Sequence, residues 1–252
     1  MVAIVTMGII RRLRRGRPLP SKSSSFSALE FVLEYIRDGI AMLPSSIGII
    51  TIGYLIGSIP TANIMMQLFR KQDLRELGTG NVTSTAVILH GGRLPGALSL
   101  TGEIVKTFVC IFVAHLLVGE LWAYLVILVA ASLGQMWSIW LGGAGGMGQT
   151  IFATGFLILC PVPFLLSVLC FTLLLFTTKR FHLSNQLWHL IAPIMLMLGK
   201  LFNPTVPTFL DLGDHSWGYA VAGTLFCLMF LVKNRREADD ILQMQAWGEY
   251  SR

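Results

Sequence analysis

From about position 46 onward the chain alternates long apolar blocks with short polar elbows. Blocks lie near 46–69, 94–118, 121–141, 185–202 and 217–232, and a longer stretch, 150–178, is interrupted by Pro161-Val162-Pro163. A helix of about 20 apolar residues spans the hydrocarbon of a bilayer, so these lengths predict an all-α, polytopic membrane protein. Ahead of the blocks, Leu29, Val32, Leu33, Ile36, Ile40 and Leu43 recur at helical spacing, with Glu30, Glu34, Arg37 and Asp38 between them. That period predicts an amphipathic helix lying in the interface.

The first residues are of a different character. Residues 1–10 are apolar, Arg11 to Lys22 carry six cations, and Ser21 to Ser27 is serine-rich. The basic block follows the short apolar part instead of preceding it, which argues against a conventional secretory signal. The chain therefore divides into a basic, serine-rich arm with an amphipathic helix, 1–45, and a transmembrane domain, 46–252. Two accounts of the arm stand side by side: a start at Met42, or a lineage-specific addition held by its helix.

Basic residues orient the crossings. If 150–178 crosses once, Lys233, Arg235 and Arg236 face away from Arg70, Lys71 and Arg75. If it crosses twice, turning at the prolines, these clusters and Lys179-Arg180 share one side, with Asp211 and Asp214 on the other. The positive-inside rule favours the second arrangement. It gives about seven helices, a cytoplasmic carboxyl terminus and short broken helices bordering a cytoplasm-facing site.

Composition agrees: 54% of the residues are hydrophobic and 13% charged, too apolar for a soluble domain of 252 residues. The net charge of +6 sits in short clusters suited to lipid headgroups and small phosphorylated molecules, and no nucleic-acid surface is indicated. Cys110, Cys160, Cys170 and Cys227 lie in apolar runs and read as packing residues. The five histidines, His90, His115, His182, His189 and His215, lack metal-binding spacing and read as local hydrogen-bonding groups.

Candidate chemistry gathers at the elbows. Leu77-Gly78-Thr79-Gly80-Asn81 combines glycines that let a backbone approach an anion with two donor side chains, beside Arg70, Lys71 and Arg75. It reads either as a phosphate-binding turn or as an ordinary helix-to-helix turn. Gly142-Gly143-Ala144-Gly145-Gly146-Met147-Gly148-Gln149-Thr150 is nearly free of side chains and opens into a helix, as a phosphate cradle would. Close helix packing through small residues explains the same composition. Glu103 and Lys106 are one helical turn apart inside an apolar span, so both should face the interior or a wet cavity. Lys106 then either reaches a substrate phosphate, with Glu103 orienting it, or forms a neutralising structural pair.

In this order the residues resemble the acyl-phosphate:glycerol-3-phosphate acyltransferases, the PlsY family of bacterial membrane proteins. Tyr54-Leu55-Ile56-Gly57-Ser58-Ile59-Pro60-Thr61-Ala62, followed by Asp73-Leu74-Arg75 and Gly78-Thr79-Gly80-Asn81, is similar to the family's first motif. Of the Gly-Ala-Thr-Asn that follows in the family, Thr85 is kept. Lys106 falls on a family lysine, and Glu103 replaces an aspartate. Thr178-Lys179-Arg180-Phe181-His182-Leu183-Ser184 resembles a later cytoplasmic turn. The second motif departs: Gly134-Gln135 stands for Gly-His, and Ala144-Gly145-Gly146-Met147-Gly148 for Lys-Gly-Gly-Lys-Gly. The last motif corresponds loosely to Asn234-Arg235-Arg236-Glu237 and Gly248-Glu249.

The resemblance implies transfer of an acyl group from acyl phosphate to glycerol-3-phosphate, giving lysophosphatidate for phospholipid synthesis at the bacterial plasma membrane. It implies neither cofactor nor metal. Ser58, Arg75, Asn81 and Lys106 are the expected catalytic residues. Gly78, Thr79, Gly80, Thr85, Gly145, Gly146, Gly148 and His182 are the expected phosphate contacts. With Gln135, Ala144 and Met147 at altered motif positions, a second expectation is an impaired or re-purposed paralogue that binds a lipid or phosphorylated metabolite. A small transporter is a third, without an evident inverted repeat to support it.

Overall fold

The computed structural model describes residues 44–78, 80–179, 181–202 and 216–234. Residues 1–43, with nearly all of the arm, its amphipathic helix and the Met42 start, lie outside these residues, as do Thr79, Arg180, Asp211, Asp214 and the Arg235-to-Glu249 segment. One unit ends at Ile47 and a second begins at Gly48; the core and the site described below lie in the second.

Among the described residues the regular structure is all helical. Helix α1 covers 44–58, α2 Thr61–Arg70, α3 Ser84–Gly91, α4 Arg93–Leu117 and α5 Leu121–Met136. Then come α6 Gln149–Leu159, α7 Pro161–Thr178, α8 Phe181–Phe202 and α9 Ser216–Asn234. Four described segments are long and apolar enough to cross a bilayer: Pro44–Arg70, Arg93–Leu117, Leu121–Leu141 and Pro161–Thr178. Gln149–Leu159 and Gly218–Lys233 are shorter and apolar. Side chains such as Leu68, Phe112 and Phe176, 60% or more exposed, supply the outward apolar surface that lipid would cover.

Two breaks have proline chemistry behind them. Between α1 and α2, Pro60 has no N–H to continue the ladder; its φ of −84° and ψ of 68° form an inverse γ-turn, closed by Thr61 N–H donating to Ile59 O at 2.9 Å. Between α6 and α7 the chain leaves the helix at Cys160, and Pro161 opens α7 at its first position, where a missing N–H costs nothing. The interruption expected at Pro161-Val162-Pro163 is thus a helix boundary.

The core lies between α5, α6, α8 and α9. Tyr124, Ile127, Leu128, Phe152, Phe156, Phe226 and Phe230 are all but fully buried, and the Phe152 and Phe226 rings stack with centroids 3.9 Å apart. Helix α1 meets α5 through glycines: a Cβ on Gly57 would overlap the backbone carbonyl of Ala131, and one on Gly53 would come within 2.8 Å of Ile127. This close approach brings the end of α1 against the end of α5, where the polar elbows begin.

Candidate active site

Breaking α1 at Pro60 leaves its last carbonyls without helical donors, and side chains from elsewhere in the chain meet them. Lys106 of α4 donates through Nζ to Ile59 O at 2.8 Å and to Gly57 O at 3.4 Å. Ser138, just after α5, donates to Ser58 O at 2.5 Å. A cation at the carbonyl end of a helix also complements the helix dipole.

The third Lys106 contact is Gln135 Oε1, at 2.5 Å, and the amide of Gln135 donates from Nε2 to Glu103 Oε1 at 3.1 Å. Glu103 receives a further hydrogen from Ser84 Oγ at 3.2 Å. With the Ser84 hydrogen committed, Ser99 is the donor in the 2.8 Å Ser84–Ser99 contact. Glu103, Lys106 and Gln135 are each about 95% buried or more. The expected Glu103–Lys106 unit therefore exists, but Gln135 relays it. Lys106 spends its three ammonium donors on protein oxygens and holds the break of α1.

The two elbows meet. Val82 N–H donates to Gly145 O at 3.4 Å, and a Cβ on Gly146 would come within 2.6 Å of Val82 O. In the first elbow, Gly78 and Gly80 adopt φ of 55° and 71°, the left-handed region that glycine occupies without strain. Leu74 N–H is bound by the buried Asn63 Oδ1 at 2.9 Å, which anchors this elbow on α2. Asn81 is half-buried next to Val82, whereas Thr85, in the first turn of α3, is exposed.

Arg75 lies exposed in the short turn Leu74–Glu76 and grips Asp73, with contacts of 2.7 to 3.1 Å. The Arg75 guanidinium holds the Asp73 carboxyl down at about 2, mainly through their side-chain hydrogen bonds. Arg75 thus reaches solvent as half of an ion pair, not as the bare phosphate-seeking cation the sequence suggested.

The second elbow is closed largely on itself. Gly143 N–H donates to Ser138 O at 2.8 Å, Ser138 N–H to Ala144 O at 3.1 Å, and Gly146 N–H to Gln135 O at 2.9 Å. Gly145, Gly146 and Gly148 are buried. A Cβ on Gly145 would overlap the Gln135 carbonyl and lie 2.6 Å from Met136 O. The Gly146 amide expected to face a phosphate is therefore held by the scaffold, and part of the glycine content serves close packing. His182 lies in the first turn of α8; only its backbone is described.

One expected catalytic side chain stands apart. Ser58 is 1% exposed, its Oγ has no hydrogen-bond partner, and it lies beside Gly134, whose Cβ position is 2.9 Å from it. A buried hydroxyl without a protein partner is costly, and this one sits at the clamped end of α1. Sequence reasoning missed Ser84, Ser99, Ser138 and Asn63 as members of this network. Small polar residues in apolar helices carry no spacing that marks their partners.

An all-helical integral membrane protein with a buried polar network beneath two joined glycine elbows is the class these features define. Residues 47–244 match the family described as glycerol-3-phosphate acyltransferase, and the chain belongs to that family. Among curated relatives, the glycerol-3-phosphate acyltransferase of Nitrobacter winogradskyi is 33% identical over 155 residues, covering 62% of this chain and 79% of the relative. That of Agrobacterium fabrum is 34% identical over 148 residues, covering 58% and 70%. The fold is similar to the crystal structure of PlsY, an integral membrane glycerol 3-phosphate acyltransferase, in its glycerol 3-phosphate form. The TM-score is 0.60 at 22% identity, over 79% of this chain and 92% of that one. The lysophosphatidic acid form gives 0.58 at 20% identity.

Proposed function

We propose that this chain, a membrane glycerol-3-phosphate acyltransferase of phospholipid synthesis, takes its acyl group from acyl phosphate at a site on the cytoplasmic face of a bacterial plasma membrane. The observation that carries this reading is the junction of Val82 with Gly145 above the Glu103–Gln135–Lys106 relay, which places both glycine elbows beside the clamped end of α1 and Ser58. The glycerol-3-phosphate hydroxyl oxygen bonds to the acyl carbonyl carbon, the carbon–oxygen bond to phosphate breaks, and the hydroxyl proton leaves with inorganic phosphate. An acyl phosphate is a mixed anhydride with a good leaving group. The protein's task is to align two anions and to donate hydrogen bonds to the carbonyl oxygen as it gains charge.

In this reading Ser58 donates its unpartnered hydroxyl to a reacting oxygen, Asn81 and those elbow amides that the scaffold does not hold position phosphate, and Arg75 supplies peripheral charge once a phosphate competes for it with Asp73. Lys106 acts through the backbone of Gly57 to Ile59 and is a positioning residue. The residues at Ala144 and Met147 favour a second reading, a paralogue of reduced activity, because two charge-assisted phosphate contacts are worth about 1.5 to 3 kcal/mol each. Their joint loss corresponds to a hundredfold or more in affinity or rate.

Acyl transfer from acyl phosphate to radiolabelled glycerol-3-phosphate by the purified full chain tests the proposal. It predicts labelled lysophosphatidate and an equal release of phosphate, and a loss of at least about a hundredfold in kcat for Ser58→Ala. Absence of product above a protein-free control contradicts it. A large gain in turnover for Ala144→Lys with Met147→Lys would favour the reduced-activity reading.

A further inference from the structure

Resting on the acyl-transfer reading above, we propose that Lys233 is the cation of the second glycine elbow, delivered from α9 in place of charge that Ala144 and Met147 do not carry. Lys233 lies one residue from the end of α9, which packs against α5. Its Nζ donates to Met136 O at 2.9 Å and sits 5.7 Å from the centre of the Trp137 ring. The same Met136 oxygen is 2.6 Å from the Cβ position of Gly145, so the ammonium lies within about 5.5 Å of that position.

A phosphate seated on the elbow would be within reach of this ammonium. Lysine is a compact, strongly hydrated point charge with three donors on a flexible stem, so it can serve the Met136 carbonyl and a phosphate oxygen together. The indole of Trp137 stabilises the cation at its post. A role confined to capping the carbonyl end of α5 would also gain from the charge through the helix dipole, but its loss would show in stability and not in the KM for one phosphate substrate, and that difference separates the two roles.

Lys233→Gln keeps a donor for Met136 O and loses the charge. The proposal predicts that KM for one phosphate substrate rises about ten- to a hundredfold, with kcat changed by less than about threefold. Lys233→Arg should stay within about threefold of the native chain, and Met147→Lys added to Lys233→Gln should recover most of the loss. Measuring KM separately for glycerol-3-phosphate and for acyl phosphate identifies which phosphate the ammonium meets.

Calorimetric binding of glycerol-3-phosphate and of inorganic phosphate to the full chain in detergent provides a readout independent of turnover. Lys233-dependent binding by a chain that transfers no acyl group would uphold this inference and overturn the catalytic reading. Unchanged KM and binding in Lys233→Gln would overturn the inference and leave the catalytic reading standing, as would a loss that Met147→Lys fails to restore. A native chain that neither binds nor transfers would overturn both.

Discussion

Lys106 is a buried cation whose three donors all end on protein oxygens. Replacing it with methionine removes donors from Gly57 O and Ile59 O and leaves Glu103 without its relayed counter-charge. Breaking one member of a buried charged network costs about 3 to 5 kcal/mol, so Lys106→Met should unfold in detergent at a clearly lower temperature, read by thermal denaturation. An unchanged midpoint would contradict the clamp. Gln135→Leu severs the relay while nearly preserving volume and should cost about 1 to 3 kcal/mol by the same measurement.

Asp73 gives a pH prediction. Its carboxyl is held down to about 2 in the folded chain, chiefly by hydrogen bonds from Arg75. A depressed carboxylate contributes stability above its unfolded value near 4, and that contribution fades as pH falls from about 4 toward 2. Solvent screens the exposed Arg75 guanidinium, so the contribution is small. The stability difference between the native chain and Asp73→Asn should therefore be constant from pH 7 to about 5 and shrink below 4. A difference growing in acid would contradict the pairing. The burial of Glu103 and Lys106 was legible from sequence, because charges in an apolar span must turn inward. Their connection through Gln135 was not, since that partner comes from another helix, 29 positions from Lys106.

Among the elements, the α1–α5 crossing positions the rest. It depends on Gly57, whose Cβ would overlap the Ala131 carbonyl, and on Gly134, whose Cβ would overlap the Tyr54 carbonyl. Because the obstacles are backbone, the helices must separate to accept a methyl group, and overpacking of this kind costs about 1 to 3 kcal/mol or more. Gly57→Ala should lower thermal stability and acyl transfer together, whereas Gly48→Ala, where nothing lies within 4 Å of the Cβ position, should change neither. Equal behaviour of the two variants would contradict the close crossing. The break at Pro161 was legible from its prolines, whereas the break at Pro60 lay inside the block read as 46–69. The donors that satisfy the broken end of α1 were not legible either, because Lys106 and Ser138 reach it only once α4 and α5 are packed.

For the molecule as a whole, the central claim is that two elbows distant in sequence form one anion site on one side of the membrane. Proximity is set by Val82 and Gly145, and α4 and α5 form an out-and-back pair that places Glu120 at the far end. The motifs of the first elbow and the apolar blocks made family and fold legible from sequence. The closed hydrogen bonding of the second elbow was hidden, because glycine composition is the same whether amides point to a ligand or to neighbouring carbonyls. The most direct measurement is labelling of Arg75→Cys, Gly142→Cys and Glu120→Cys, each in intact cells, with a membrane-impermeant maleimide. The account predicts that Glu120→Cys labels from outside while Arg75→Cys and Gly142→Cys label only after the cytoplasmic face is opened; labelling of Arg75→Cys and Gly142→Cys from opposite sides would contradict it.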